Sequence, residues 1–128
     1  MAITADDLLT LAENILAASA NSEVNYRNSA TRSYYSIFHK CQPISNRIRA
    51  LPPKEVIGLH AKIIWKLKNH GDPNIAKLGK LLFDGRDKRT HADYELQRPF
   101  NKKDAEYLLG LASSVKTIVA QLPSNPSP

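Results

Sequence analysis

The sequence predicts an all-α fold: an antiparallel bundle of about five helices in a single domain. Three observations lead there. Apolar residues recur at steps of three and four along most of the chain. Helix caps and Pro or Gly breakers separate these stretches at regular intervals. No run alternates β-branched and polar residues as a half-buried strand does, and no internal repeat is visible.

The first helix starts at Thr4, with Asp7 three residues on as its capping-box partner, and continues through Leu8, Leu9, Leu11, Ala12, Ile15 and Leu16. Asn21-Ser22 ends it and offers a cap to the second helix, whose apolar side is Tyr26, Ala30, Tyr34, Ile37, Phe38 and Cys41. Pro43 is expected to stop or kink that helix, because it lacks an N–H and crowds the preceding turn. Residues 44–51 then read as a bent continuation up to the Pro52-Pro53 breaker. A third helix is expected over 58–69, with Leu59, Ile63, Ile64 and Leu67 on one side and lysines near the other. Asp72 and Pro73 cap and open a fourth, carried by Ile75, Leu78, Leu81, Leu82 and Phe83 until it meets Gly85 and the polar run 86–91. Asn101 with Asp104 starts the last helix, apolar through Leu122. The domain is expected to occupy 1–122, with a Pro-rich disordered tail at 123–128.

Composition narrows the classes. With 128 residues, 42% of them apolar and 23% charged, the chain can bury one core and is too apolar for a disordered protein. Its apolar runs are too short to span a bilayer, and no Lys or Arg precedes Arg27, so a secretory n-region is missing and a cytoplasmic location is expected. The lone Cys41 forms no internal disulfide, and on the apolar side of its helix it reads as an inert buried thiol. The charge is uneven: residues 1–26 sum to −4, residues 27–103 to +11 and residues 104–128 to −1. So basic a block attracts polyanions such as RNA, although lysine stems that only solvate outer helix faces give the same count.

The four histidines, at 39, 60, 70 and 91, show no metal-ligand spacing, and no glycine-rich phosphate loop is present, so neither metal nor cofactor is expected. Tyr35 and His39 share a helix face and read as aromatic packing. The run Arg86-Asp87-Lys88-Arg89-Thr90-His91 has a different character. Asp87 stands four residues before His91, where on a helix it can orient the imidazole, and Arg86 can grip a phosphate through its planar fork. Histidine moving a proton while arginine stabilises a pentacovalent phosphate is the minimal apparatus for metal-free RNA cleavage. A solvated basic helix end would carry the same residues.

Two segments add context. Arg32-Ser-Tyr-Tyr-Ser-Ile-Phe-His39 resembles the R-x-YY-x-x-FH helix of HEPN domains, small helical proteins of prokaryotic toxin–antitoxin and defence systems. Gly58-Leu-His60 and the stretch from Asp87 to Ala92-Asp93-Tyr94 follow in the order of that family, and the likeness runs from about residue 5 to 121. Active members carry Arg, a polar residue, three variable positions and His, filled here by Arg86, Asp87 and His91. The resemblance implies a metal-independent endoribonuclease, a toxin or defence effector, that works as a homodimer with a shared cleft. In that cleft Arg86, Asp87 and His91 would be catalytic, and Lys88 and Arg89 would bind RNA. It also implies a cognate antitoxin, such as a minimal nucleotidyltransferase. In that branch a tyrosine two residues after the histidine is adenylylated; Tyr94 stands three after His91 and departs from the pattern. Relatives of the Ala-Asp-Tyr type often lack the histidine, and for them the implied role is a non-catalytic module that binds a nucleotidyltransferase partner or a nucleotide.

Overall fold

In a computed structural model, which describes residues 3–18 and 22–123, five helices and no strand form a single bundle. They are α1 (Ala5–Ala18), α2 (Glu23–Asn46), α3 (Leu59–Lys68), α4 (Pro73–Tyr94) and α5 (Lys102–Gln121). The fold class is the expected one. Asn21 and the tail from residue 124 lie outside the described residues.

The caps act as their chemistry dictates. Thr4 and Asp7 exchange hydrogen bonds at 2.8 and 3.1 Å, and Asn101 and Asp104 do the same at 2.8 and 3.1 Å, so each pair satisfies two orphan N–H groups. Ser22 accepts from the Asn25 N–H, and Asp72 from the Asn74 N–H. Gly58 precedes α3 at φ 92°, a conformation that other residues rarely adopt.

Two expected boundaries move. Pro43 neither stops nor ends α2, which runs on to Asn46. It lies in the last turn, where its missing N–H removes one bond close to a helix end that is already losing them. Gly85 likewise does not end α4. The polar run 86–91 is helical, and the helix continues to Tyr94. The cause is tertiary: a Cβ at Gly85 would come within 3.2 Å of Ile37 Cδ1 and 3.3 Å of Leu108 Cδ1, so the glycine lets α2 and α5 close on α4.

α2 is the central element and touches the other four helices. Its register is read from long-range bonds. Ser29 Oγ donates to the Ala12 carbonyl and Ser36 Oγ to that of Ala5, both at 2.8 Å, so α1 runs antiparallel to it at the close spacing that serine permits. On its other side Thr31 bonds Asp93, while Ile37 lies against Gly85, which makes α4 antiparallel as well. The core is built on Tyr34, Ile37, Phe38 and Cys41 of α2, Leu67 of α3, Leu78 and Leu82 of α4, and Leu108 and Val115 of α5. Burial pushes the Cys41 thiol up to about 12, which leaves it un-ionised and unreactive. No described helix is long and apolar enough to cross a membrane.

Candidate functional site

The helical continuation of α4 decides how the predicted site residues are distributed. Consecutive residues on a helix are turned by about 100°, so Arg86, Arg89 and Asp93 share one side while His91 lies about 140° away from Arg86. The structure therefore separates the expected catalytic arginine from the expected catalytic histidine.

His91 points into the bundle and is 5% exposed. Its Nε2 pairs with the Pro99 carbonyl at 3.0 Å, Nδ1 is enclosed without a partner, and the ring meets Phe100 edge-on at 5.0 Å. Neither ring nitrogen is bonded to Asp87, which is exposed. Within this chain His91 is shielded from solvent. It secures the turn between α4 and α5 instead.

The same turn is held by Arg27, which is nearly buried. Its Nη1 donates to the carbonyls of His91, Ala92 and Glu95 at 3.1, 2.9 and 3.3 Å, and its Nη2 donates to that of Arg98. A guanidinium set against the carbonyl end of α4 satisfies the orphan acceptors and opposes the helix dipole.

The two residues expected to bind RNA are also committed internally. Lys88 bonds Asp104 of α5 at 2.5 Å and lies 5.9 and 5.7 Å from the Phe100 and Tyr107 rings. Burial alone would raise the Asp104 carboxyl. The hydrogen bonds from Lys88 and from the Asn101 N–H outweigh it and hold the group below its ordinary range. Arg89 pairs with Asp93 at 3.4 Å, and its guanidinium carbon lies 5.0, 5.9 and 5.6 Å from the rings of Tyr34, Tyr35 and Tyr94. Asp93 in turn accepts from Thr31 at 2.5 Å. The Ala92-Asp93-Tyr94 stretch thus anchors an arginine among three tyrosines.

Arg86 differs from its neighbours. It is partly exposed, and no carboxylate pairs with it among the described residues. Its charge acts on Tyr34 and His60. His60, in the first turn of α3, stacks on Phe38 with centroids 4.4 Å apart, and its Nδ1 is hydrogen-bonded to the Tyr34 hydroxyl. Burial raises the Tyr34 phenol well above its ordinary value, so it stays neutral. Burial first, then the charges of Arg86 and Arg89, lower the pKa of His60. A neutral imidazole accepting at Nδ1 carries its proton on Nε2. Arg86 thus lies close enough to the Tyr34–His60 pair for its charge to be felt there, a guanidinium without a carboxylate partner near an imidazole bonded to a phenol.

Tyr94, which stands one position beyond the modified tyrosine of the resembled branch, is 71% exposed, with the Arg89 guanidinium 5.6 Å from its ring. Sequence spacing did not join His60 to Tyr34, because they lie 26 positions apart on the successive helices α3 and α2, and only the packing of α3 brings them together. Among the described residues, no group of three or more His, Cys, Asp or Glu side chains is placed to hold a metal ion. No family model matches the chain, and no curated protein or solved structure is similar to it.

Proposed function

We propose that this chain is a HEPN-type binding module that receives a phosphate of RNA or of a nucleotide on the Arg86–His60 face, in preference to a nuclease acting through His91. The carrying observation is the contrast between two side chains five residues apart. Arg86 is partly exposed and without an acid partner, whereas His91 is buried with its Nε2 bonded to the chain's own backbone. A general base must come within hydrogen-bond reach of the proton that it removes. His60 fits a binding role, since as a neutral ring it donates from Nε2 and complements the Arg86 fork on a phosphate oxygen. The excess of bases in residues 27–103 adds a field that draws polyanions to the molecule.

The test combines cleavage and binding. Wild type, Arg86→Ala and His91→Ala are incubated with total RNA in EDTA, and their affinity for a labelled single-stranded RNA is measured by anisotropy at several salt concentrations. The expected result is no cleavage by any of the three. Affinity should fall steeply with salt and drop about tenfold in Arg86→Ala, while folded His91→Ala keeps it. Cleavage by the wild type that His91→Ala abolishes would overturn this reading in favour of the metal-independent nuclease. RNA affinity unchanged in Arg86→Ala would remove the phosphate site.

A further inference from the structure

We propose a second ligand site: the pocket between α3 and the segment that joins it to α2 takes a small aliphatic anion, an alkyl chain ending in a carboxylate or similar head. The pocket has a volume of about 450 Å³, inside the roughly 300–1,000 Å³ span of small-molecule sites. Residues 59, 62, 63 and 66 fall at i, i+3, i+4 and i+7, so α3 gives one continuous stripe to its wall. Within that stripe Leu59 and Ile63 are apolar, and Lys62 and Lys66 are cationic. Leu51 and Pro52 of the joining segment complete the apolar lining. The end of α2 adds two polar residues, Ser45 and Asn46.

Two independent features choose the ligand. The first is apolar surface left open within the pocket: Leu51 is 85% exposed and Leu59 56%. An alkyl chain that covers these side chains gains the free energy of removing both surfaces from water. The second is charge. Among the described residues no acid lines the pocket, and no carboxylate pairs with Lys62 or Lys66. Two ammonium groups one helical turn apart favour an anionic head and repel a cationic one. No aromatic ring is among the described residues of the lining, so a nucleobase finds nothing to stack on, which separates this pocket from a site for RNA. A free fatty carboxylate and an anionic lipid of a bilayer carry the same chemistry. A lining shared by three segments around one recess suits the free monomer, because a bilayer is met by side chains that project into it. Neither Arg86 nor His60 lines the pocket, so this proposal stands apart from the phosphate reading.

Isothermal titration calorimetry of the whole chain with decanoate, kept below its micelle concentration, tests the site. The controls are acetate, which has the head alone, and decyltrimethylammonium, which has the chain with the opposite charge. In a second arm the protein is sedimented with vesicles of phosphatidylcholine and phosphatidylglycerol. The expected result is saturable binding of decanoate with a negative heat-capacity change, weakened by salt, and no binding of acetate. The cationic analogue should bind at least about tenfold more weakly. Leu51→Asp, and Lys62→Gln combined with Lys66→Gln, should each lower decanoate affinity by about tenfold or more, with helicity by circular dichroism unchanged. No saturable heat, equal binding of the cationic analogue, or wild-type affinity in both variants would overturn the proposal. Sedimentation with the vesicles in the absence of decanoate binding would also overturn it and assign the surface to a membrane. RNA affinity of Leu51→Asp should stay at the wild-type value; a parallel loss would mean one shared surface and overturn the separate site.

Discussion

Arg27 and His91 show how single polar side chains hold an α bundle together from inside. The Arg27 guanidinium reaches carbonyls at the end of α4 and in the turn beyond it, and also pairs with Glu23 at 3.2 Å. Removing it strands several buried acceptors at once, and each costs roughly 1–3 kcal/mol to leave unsatisfied, although water entering the turn relieves part of that. We expect Arg27→Met to lose about 2–4 kcal/mol in urea unfolding. Arg27→Lys should recover little of it, because an ammonium point charge does not span carbonyls as far apart as those of Ala92 and Arg98. A full rescue by lysine would show that charge at the helix end, not the fork, is what matters.

At the scale of elements, two glycines of α4 face different neighbours and should respond differently to a methyl group. A Cβ on Gly79 would lie 2.5 Å from the Lys68 backbone nitrogen and 3.0 Å from the Leu67 carbonyl carbon. Backbone cannot yield there, so α3 must back away from α4. A Cβ on Gly85 would press only on the flexible ends of Ile37 and Leu108. Gly79→Ala is therefore expected to destabilise by about 1–3 kcal/mol despite its gain in helix propensity. Gly85→Ala should fall within about 1 kcal/mol of wild type. Chemical denaturation of both variants checks the contrast, and equal effects would mean that the α3–α4 contact is softer than its spacing implies.

Over the whole molecule, acid sensitivity follows from groups on different elements. His60 titrates in the folded protein below 6.5, because burial and then Arg86 and Arg89 disfavour its charged form. The unfolded chain consequently binds more protons between that lowered value and 6.5, so stability rises with pH through this window and is lost on acidification. Asp104 acts lower down. Its depressed pKa contributes stability that is complete above about 4 and disappears as pH falls through the folded value. Urea midpoints measured between about pH 7.5 and pH 5 should decline for wild type and stay flatter for His60→Asn, which has no proton to gain. An unchanged slope in His60→Asn would place the titrating group elsewhere.

The sequence by itself determined the helix count, the two capping boxes, the Asp72-Pro73 start and most of the core, since each is written in residues within one or two turns of each other. It also flagged the chemically dense run from Arg86 to His91. Only the tertiary structure decided that α2 passes through Pro43 and α4 through Gly85, because the end of a helix depends on what packs against it as well as on its propensity. That continuation leaves Arg86 partly exposed and turns His91 inward, and the docking of α3 brings His60 against Tyr34. Local spacing carries the angle around a helix once the helix is known to continue. Which side of that helix meets water is set by neighbours far away in the chain.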